Sequence, residues 1–248
     1  MTPPVLSLDR VHKSFGGITA IEEFSLDLAA GEVVALVGDN GAGKSTLVKM
    51  IAGAHKPTSG RILIDGEEVS FADASQSQSK GIQVVYQDLA LADSQSVYMN
   101  LFLGRELTRG PFRRLDRPRM IRETEKLVEA LDVRIPSARS VIRDLSGGQR
   151  QGIAIARATH WATKLVLMDE PTAALGVKES ALVLDLIRKL KADGRTVILI
   201  SHNMRDVVAL ADRVVIMGAG RKYVDRPLGD LQPDDIAHMI MAGNAKAA

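Results

Sequence analysis

Apolar residues along this chain fall in short blocks whose period changes in a regular order. Val5-Leu6-Ser7-Leu8 alternates and predicts a strand. Phe15-Gly16-Gly17 predicts a turn carrying an exposed aromatic, and Ile18 to Leu28 resumes a strand pattern. Ala30-Gly31-Glu32 turns the chain into Val33-Val34-Ala35-Leu36-Val37, a continuous apolar run of the buried-strand type. Leu47 to Ala52 reads as the start of a helix. Gly53 to Gly60 is a loop holding Pro57 and Ser59, and Arg61 to Gly66 is a strand and turn. Ala72 to Lys80, rich in Ser and Gln, predicts a loop or a polar helix. Gly81 to Gln87 is another strand, ending on a polar residue.

From Ser94 the character changes. Tyr98, Met99, Leu101, Phe102 and Leu103 precede a basic turn around Arg113 and Arg114. Ile121, Val128 and Leu131 then recur at helical spacing. Residues 89–158 are therefore expected to form a helical insert in an α/β core made of 1–88 and 159–248. Tyr98, Met99 and Phe102 are expected in the core of that insert. Leu165-Val166-Leu167-Met168 is a buried strand closed by Asp169 and Glu170. Val183, Leu186, Ile187 and Leu190 make a helical stripe. Thr196 to Ile200 is a strand ending at Ser201-His202, and Val214 to Met217 is a further strand turned by Gly218 and Gly220. Asn244 to Ala248 reads as a frayed tail. Strands alternating with helices predict a mostly parallel sheet.

Composition narrows this only modestly. The 248 residues suffice for one large α/β domain. Apolar residues at 46% and charged ones at 25% are the balance of a soluble globular chain. A net charge of +2 is too small to argue for nucleic acid. Cysteine is absent, so no disulfide contributes. Met1 to Arg10 lacks the apolar core of a signal peptide. No apolar run approaches a membrane span. Work at a membrane would go through another chain.

The chemistry gathers at the ends of the apolar runs. Gly38-Asp39-Asn40-Gly41-Ala42-Gly43-Lys44-Ser45-Thr46 fits G-x-x-x-x-G-K-[ST], between a predicted strand and a predicted helix. Its glycines let the backbone wrap closely around phosphates, whose charge meets N–H groups and the helix N-terminus. Lys44 adds a positive charge near the β and γ phosphates, and the Ser45 hydroxyl is placed for Mg²⁺. Asp169 ends an apolar strand and can support Mg²⁺ through water, while Glu170 can orient or deprotonate an attacking water. Gln87 and His202 end two further strands, on the side where α/β sheets bind ligands. There Gln87 can reach Mg²⁺ and the attacking water, and His202 the γ-phosphate. Leu145-Ser146-Gly147-Gly148-Gln149 opens a helix. It reads as an N-terminus with bare N–H groups, a second anion site, or as simple capping by Ser146.

Taken together, these motifs resemble the ATP-binding-cassette ATPases: Phe15, Gly38 to Thr46, Gln87, Leu145 to Gln149, Leu165 to Glu170 and His202, in that order over nearly the whole chain. The resemblance implies a RecA-like P-loop core with an N-terminal antiparallel β region and an inserted helical subdomain. It implies that Phe15 stacks on adenine, that Gln87 is the Q-loop glutamine and that His202 is the switch histidine. It also implies a head-to-tail homodimer with two ATP molecules held between P-loop and signature. A finer resemblance is to the ATPases of monosaccharide importers of the ribose, xylose and fructose type. It is carried by Gly38 to Thr46, Val85 to Leu91, Asn100 to Glu106 and Thr172 to Glu179. Gly176 stands where most cassettes have an acid, and Phe15 where tyrosine is commoner. The expected partners are a second copy, an integral membrane permease docked on the insert and the Gln87 loop, and indirectly a sugar-binding protein, without nucleic acid. The expected location is the cytoplasmic face of the membrane, peripherally. Two alternatives are weighed against this. A soluble cassette acting on DNA or ribosomes is expected to carry coiled-coil inserts or a second cassette. A nucleotide-binding regulator without turnover would have no use for Glu170 and His202.

Overall fold

A computed structural model describes residues 3–173 and 175–245. In chain order the first elements are β1 (Leu6–Phe15), β2 (Ile18–Leu28), β3 (Val33–Val37), α1 (Lys44–Ile51), β4 (Ser59–Ile64), β5 (Glu67–Val69), α2 (Ala74–Ser79) and β6 (Ile82–Val85). Then come α3 (Val97–Leu101), β7 (Thr108–Arg109), β8 (Arg114–Leu115), α4 (Arg117–Ala130) and α5 (Gly147–Trp161). The chain ends with β9 (Leu165–Asp169), α6 (Val177–Ala192), β10 (Thr196–Ile200), α7 (Met204–Leu210), β11 (Arg213–Gly218), β12 (Arg221–Pro227) and α8 (Pro233–Ala245).

The chain divides into two compact units. The first comprises Met1–Val84, Ala162–Glu170 and Leu190–Ala248. Its main sheet has six strands in the order β12-β11-β3-β10-β9-β6. β11, β3, β10 and β9 pair in parallel, and β12 closes one edge antiparallel. All five side chains of β3 and of β10 are buried, which is why both read as unbroken apolar runs rather than as alternation. A second, antiparallel sheet has the order β2-β1-β4-β5, and β3 of the main sheet falls between its β2 and β4 in sequence. Leu6, Ile21, Phe24, Leu28, Leu47 and Ile51 pack in one continuous core with Leu165 and Ile198. Each such side chain contributes roughly 1.5–3 kcal/mol on burial.

Several expected features take a definite form here. The Ser/Gln-rich stretch is a helix, α2, capped by Asp73, whose carboxylate accepts the Gln76 N–H at 3.1 Å. The turn after β11 places Ala219 at φ 46° and Gly220 at φ 77°, the pairing that a tight hairpin needs. It leads into β12, a strand that alternation did not reveal. The tail is not frayed from Asn244, because α8 continues to Ala245; residues 246–248 lie outside the described ones.

The second unit comprises Val85–Trp161 and Pro171–Lys189. Val97, Leu101, Phe102, Met120, Ile142, Leu145 and Ile153 form its core, with Tyr98 and Met99 packed against it. The aromatic-rich run is thus core, as expected. Trp161 fixes it further by donating its indole N–H to the Leu101 carbonyl at 3.0 Å. The basic turn is a short hairpin of β7 and β8, with Phe112 at its exposed tip. α4 is capped by Asp116, whose side chain accepts the Arg119 N–H.

Candidate functional site

In the first unit the loop between β3 and α1 brings the phosphate-binding residues into one turn. Two of its glycines are dictated by neighbours. A Cβ on Gly38 would lie 2.1 Å from the Met217 carbonyl oxygen, and one on Gly43 would lie 2.6 Å from that of Ala20. Both also hold φ above +90°, which side chains disfavour. Ala42 donates its N–H to the Asp39 carbonyl at 3.1 Å, closing the turn. Asp39, Asn40, Gly41 and Ser45 are exposed, and Thr46 is half-buried. Lys44 is buried, and its ammonium donates to the carbonyls of Gly38 at 2.6 Å and Asp39 at 2.9 Å. The cation is therefore folded back over the loop it serves. Burial lowers its pKa, against the pull of Glu170, Asp169 and Asp39.

Those carboxylates sit at the end of β9. Asp169 pairs in register with Ile200 of β10, and Glu170 donates its N–H to the Ile200 carbonyl at 3.0 Å. Glu170 has φ 55°, a left-handed conformation that a side chain enters at a cost. Its Oε1 lies 3.0 Å from His202 Nε2 yet is buried and closes no hydrogen bond. Burial raises the pKa of Glu170, opposed by the charge of His202 and by the His202 backbone N–H. Burial likewise raises that of Asp169, opposed by Lys44, Lys49 and His202. One unit thus brings together a phosphate loop, a lysine, two acids and a histidine, with an unsatisfied carboxylate oxygen among them. The cradle that no Cβ may fill and the orphaned oxygen both fit a phosphate ligand and an ordered water.

Phe15 ends β1 and is 46% exposed. His55 stands edge-on to it at 5.2 Å, and the Lys13 ammonium lies 4.9 Å from the ring centre. Neither neighbour was expected. Lys13 was legible, since residues two apart on a strand share a face.

The remaining predicted residues belong to the second unit. Gln87 is exposed on the bend after β6. The segment behind it is pinned by Arg157 of α5, which donates to the carbonyls of Leu89 at 2.9 Å and Ala90 at 3.0 Å. Burial lowers the pKa of this arginine. Its position in an apolar helix gave no hint of that task.

At the N-terminus of α5, Ser146 Oγ accepts the Gln149 N–H at 3.3 Å, and the Gln149 side chain accepts the Ser146 N–H at 3.0 Å. This is a reciprocal capping box. The Glu179 side chain packs against this helix start, its Cβ 3.0 Å from where a Cβ on Gly148 would stand, and the nearby Gly148 N–H lowers the pKa of its carboxylate. Glu179 also accepts the Gly176 N–H at 3.3 Å.

Comparison with known proteins decides the family. The ABC transporter family profile matches residues 21–173. The chain belongs to the ABC transporter family. Among its relatives is the xylose/arabinose import ATP-binding protein of Sulfolobus acidocaldarius, 46% identical over 95% of this chain and 93% of that one. The fructose import ATP-binding protein of Rhizobium meliloti is 42% identical over 96% and 95%. The ribose import ATP-binding protein of Jannaschia sp. is 37% identical, and there this family member spans only 46% of the relative's length. Among solved structures, a dimeric post-hydrolysis ATP-binding cassette bound to ADP and Pi covers 91% of the chain at TM-score 0.76 and 26% identity. A nucleotide-free ATP-binding cassette from an ABC transporter covers 97% at TM-score 0.81, which at 24% identity speaks for the fold. The fold is accordingly the α/β P-loop type. Among the described residues no helix is long and apolar enough to cross a membrane.

Proposed function

We propose that this chain is the ATP-binding and hydrolysing subunit of an importer of monosaccharides, working against a membrane permease from the cytoplasmic face. The observation that carries the ATPase half is the grouping of Lys44, Asp169, Glu170 and His202 around the β3–α1 loop. The sugar half is supported by relatives named for xylose/arabinose, fructose and ribose import.

The loop from Gly38 to Thr46 binds the triphosphate through its N–H groups. Lys44 leaves the Gly38 and Asp39 carbonyls for the phosphates, a short swing from where it rests. Phe15 offers a ring face to the adenine, with Lys13 beside it. Mg²⁺ would be held by Ser45, Gln87 and Asp169 together with phosphate oxygens, and when bound it withdraws charge from the phosphates. Glu170, its Oε1 unsatisfied, takes the proton of the attacking water, and His202 orients that carboxylate and meets the γ-phosphate. Gln87 also contacts the attacking water. Ser146, Gly147, Gly148 and Gln149 present an anion-binding helix start to the ATP of a second copy, making a head-to-tail homodimer. A sugar-binding protein would deliver cargo to the permease.

The test is uptake. A strain lacking this chain should lose high-affinity accumulation of at least one labelled pentose or hexose, restored by the native gene and not by a Glu170→Gln variant. Unchanged uptake across xylose, arabinose, ribose, fructose and galactose, with loss of amino-acid or lipid transport, would reject the sugar assignment.

A further inference from the structure

The two glycines that open α5 lie under the first turn of α6. A Cβ on Gly148 would stand 3.0 Å from Glu179 Cβ and 3.2 Å from its Cγ. One on Gly147 would stand 3.2 Å from Leu175 Cδ2 and 3.5 Å from Glu179 Oε2. The glycine pair is what lets the Glu179 stem come down onto the helix end. Its carboxylate accepts the Gly176 N–H at 3.3 Å, lies against the start of α5, with its Oε2 3.5 Å from where a Cβ on Gly147 would stand, and has its pKa lowered by the neighbouring Gly148 N–H, Ser146 hydroxyl and Arg150. These groups hold its pKa below the ordinary glutamate value, so it is ionised at neutral pH. One anion thus ties together two separate stretches of the second unit. One is the start of the signature helix; the other is the turn that follows Pro171.

We propose that Glu179 is a positioning residue of the ATP reaction, a resident anion that holds the Ser146, Gly148 and Gly176 donors in place until a triphosphate from a second copy displaces it. The inference rests on the reading that Ser146 to Gln149 meets the partner copy's ATP. Two anions cannot share one set of donors, because each N–H satisfies one acceptor and like charges at contact repel. Glu179 therefore competes with nucleotide. Its departure frees the Gly176 turn, so arrival of ATP at the signature is registered by the segment leading into α6. Gly176 itself has no side chain to carry that signal; its N–H does.

The experiment measures ATP-dependent dimerisation of the full chain by analytical ultracentrifugation, in a Glu170→Gln background that suppresses turnover. Adding Glu179→Gln should tighten the dimer about fivefold, the worth of one like-charge contact near 4 Å in water. The same change should lower the thermal midpoint without nucleotide, since α5 loses an anion at its N-terminus. Opposite signs are the signature of displacement; a merely structural glutamate would weaken both. If Glu179→Gln does not fold, Glu179→Asp, which withdraws the carboxylate by one methylene, should tighten the dimer in the same sense. Ser146→Arg separates the two levels. If Ser146→Arg abolishes dimerisation while the Glu179 variants leave it unchanged or weaker, the displacement proposal falls and the shared-site reading stands. If Ser146→Arg dimerises like its parent, the shared-site reading falls and the proposal with it.

Discussion

Replacing Lys44 by alanine should separate ligand binding from folding. The ammonium makes two bonds, at 2.6 Å to Gly38 O and 2.9 Å to Asp39 O. Hydrogen bonds to a charged group contribute roughly 1.5–3 kcal/mol each. Against that stands the cost of holding the ammonium in a buried site, which lowers its pKa and is returned when it is removed. The exposed Asp39 carbonyl regains water at once. The net loss should be about 1–2 kcal/mol, which for a chain of this size moves the melting midpoint by roughly 2–8 °C. Binding is a different scale. A unit charge near 4 Å from a phosphate oxygen in a partly buried site contributes roughly 4 kcal/mol, about a thousandfold in affinity. Titration calorimetry with MgATP should therefore show a Kd raised by two to three orders of magnitude, on a protein whose circular dichroism is unchanged. A Kd raised less than tenfold would refute the assignment of Lys44 to the triphosphate. A collapse of the midpoint well beyond that range would show that the lysine is structural.

Other changes probe other links. Glu170→Gln should keep MgATP binding and lower turnover on the order of 10²–10⁴-fold, as loss of a general base does; near-native phosphate release would exclude it as the base. Arg157→Ala should leave the core intact but free Leu89 and Ala90, visible as faster hydrogen exchange over residues 88–92 and reduced turnover; native exchange there would show that the two bonds pin nothing. Burial raises the pKa of Asp225, but hydrogen bonds from Arg213 and Lys222 outweigh it and hold the group below the ordinary aspartate range. Its contribution is thus fully present above the ordinary carboxylate range and is lost as pH falls through its own lowered value. Asp225→Asn should lower the melting midpoint at neutral pH, and the gap to the native chain should close below about pH 4. A gap independent of pH would mean the ion pair is not its source.

The parallel core was legible because β3, β9 and β10 are buried on both faces, which leaves unbroken apolar runs ended by Gly38, Asp169-Glu170 and Ser201-His202. What stayed hidden had weaker local signals. β12 alternates poorly because it is an edge strand held by Arg213 and Lys222 on Asp225. α8 carries only a start signal, Pro233 in its first turn followed by Asp234 and Asp235. At the site, sequence pointed to residue types at strand ends. It could not show that Lys44 rests on its own loop, that Glu170 sits at positive φ, or that Glu179 covers the start of α5. The first is a contact within one loop, the second a backbone conformation and the third a contact between segments, and spacing along a chain encodes none of them.

The measurement that tests the central claim most directly is nucleotide occlusion in mixed dimers. One chain carries Lys44→Ala, the other Ser146→Arg, and each homodimer has both shared sites damaged. In the mixed dimer a head-to-tail arrangement gathers both lesions at one site and leaves the other with an intact P-loop and an intact signature. Tagged and purified mixed dimers should therefore trap ATP at one site, where neither parent traps any. If verified mixed dimers occlude no more nucleotide than the parents, each site is built within one chain and the account of this protein as a shared-site ATPase is contradicted.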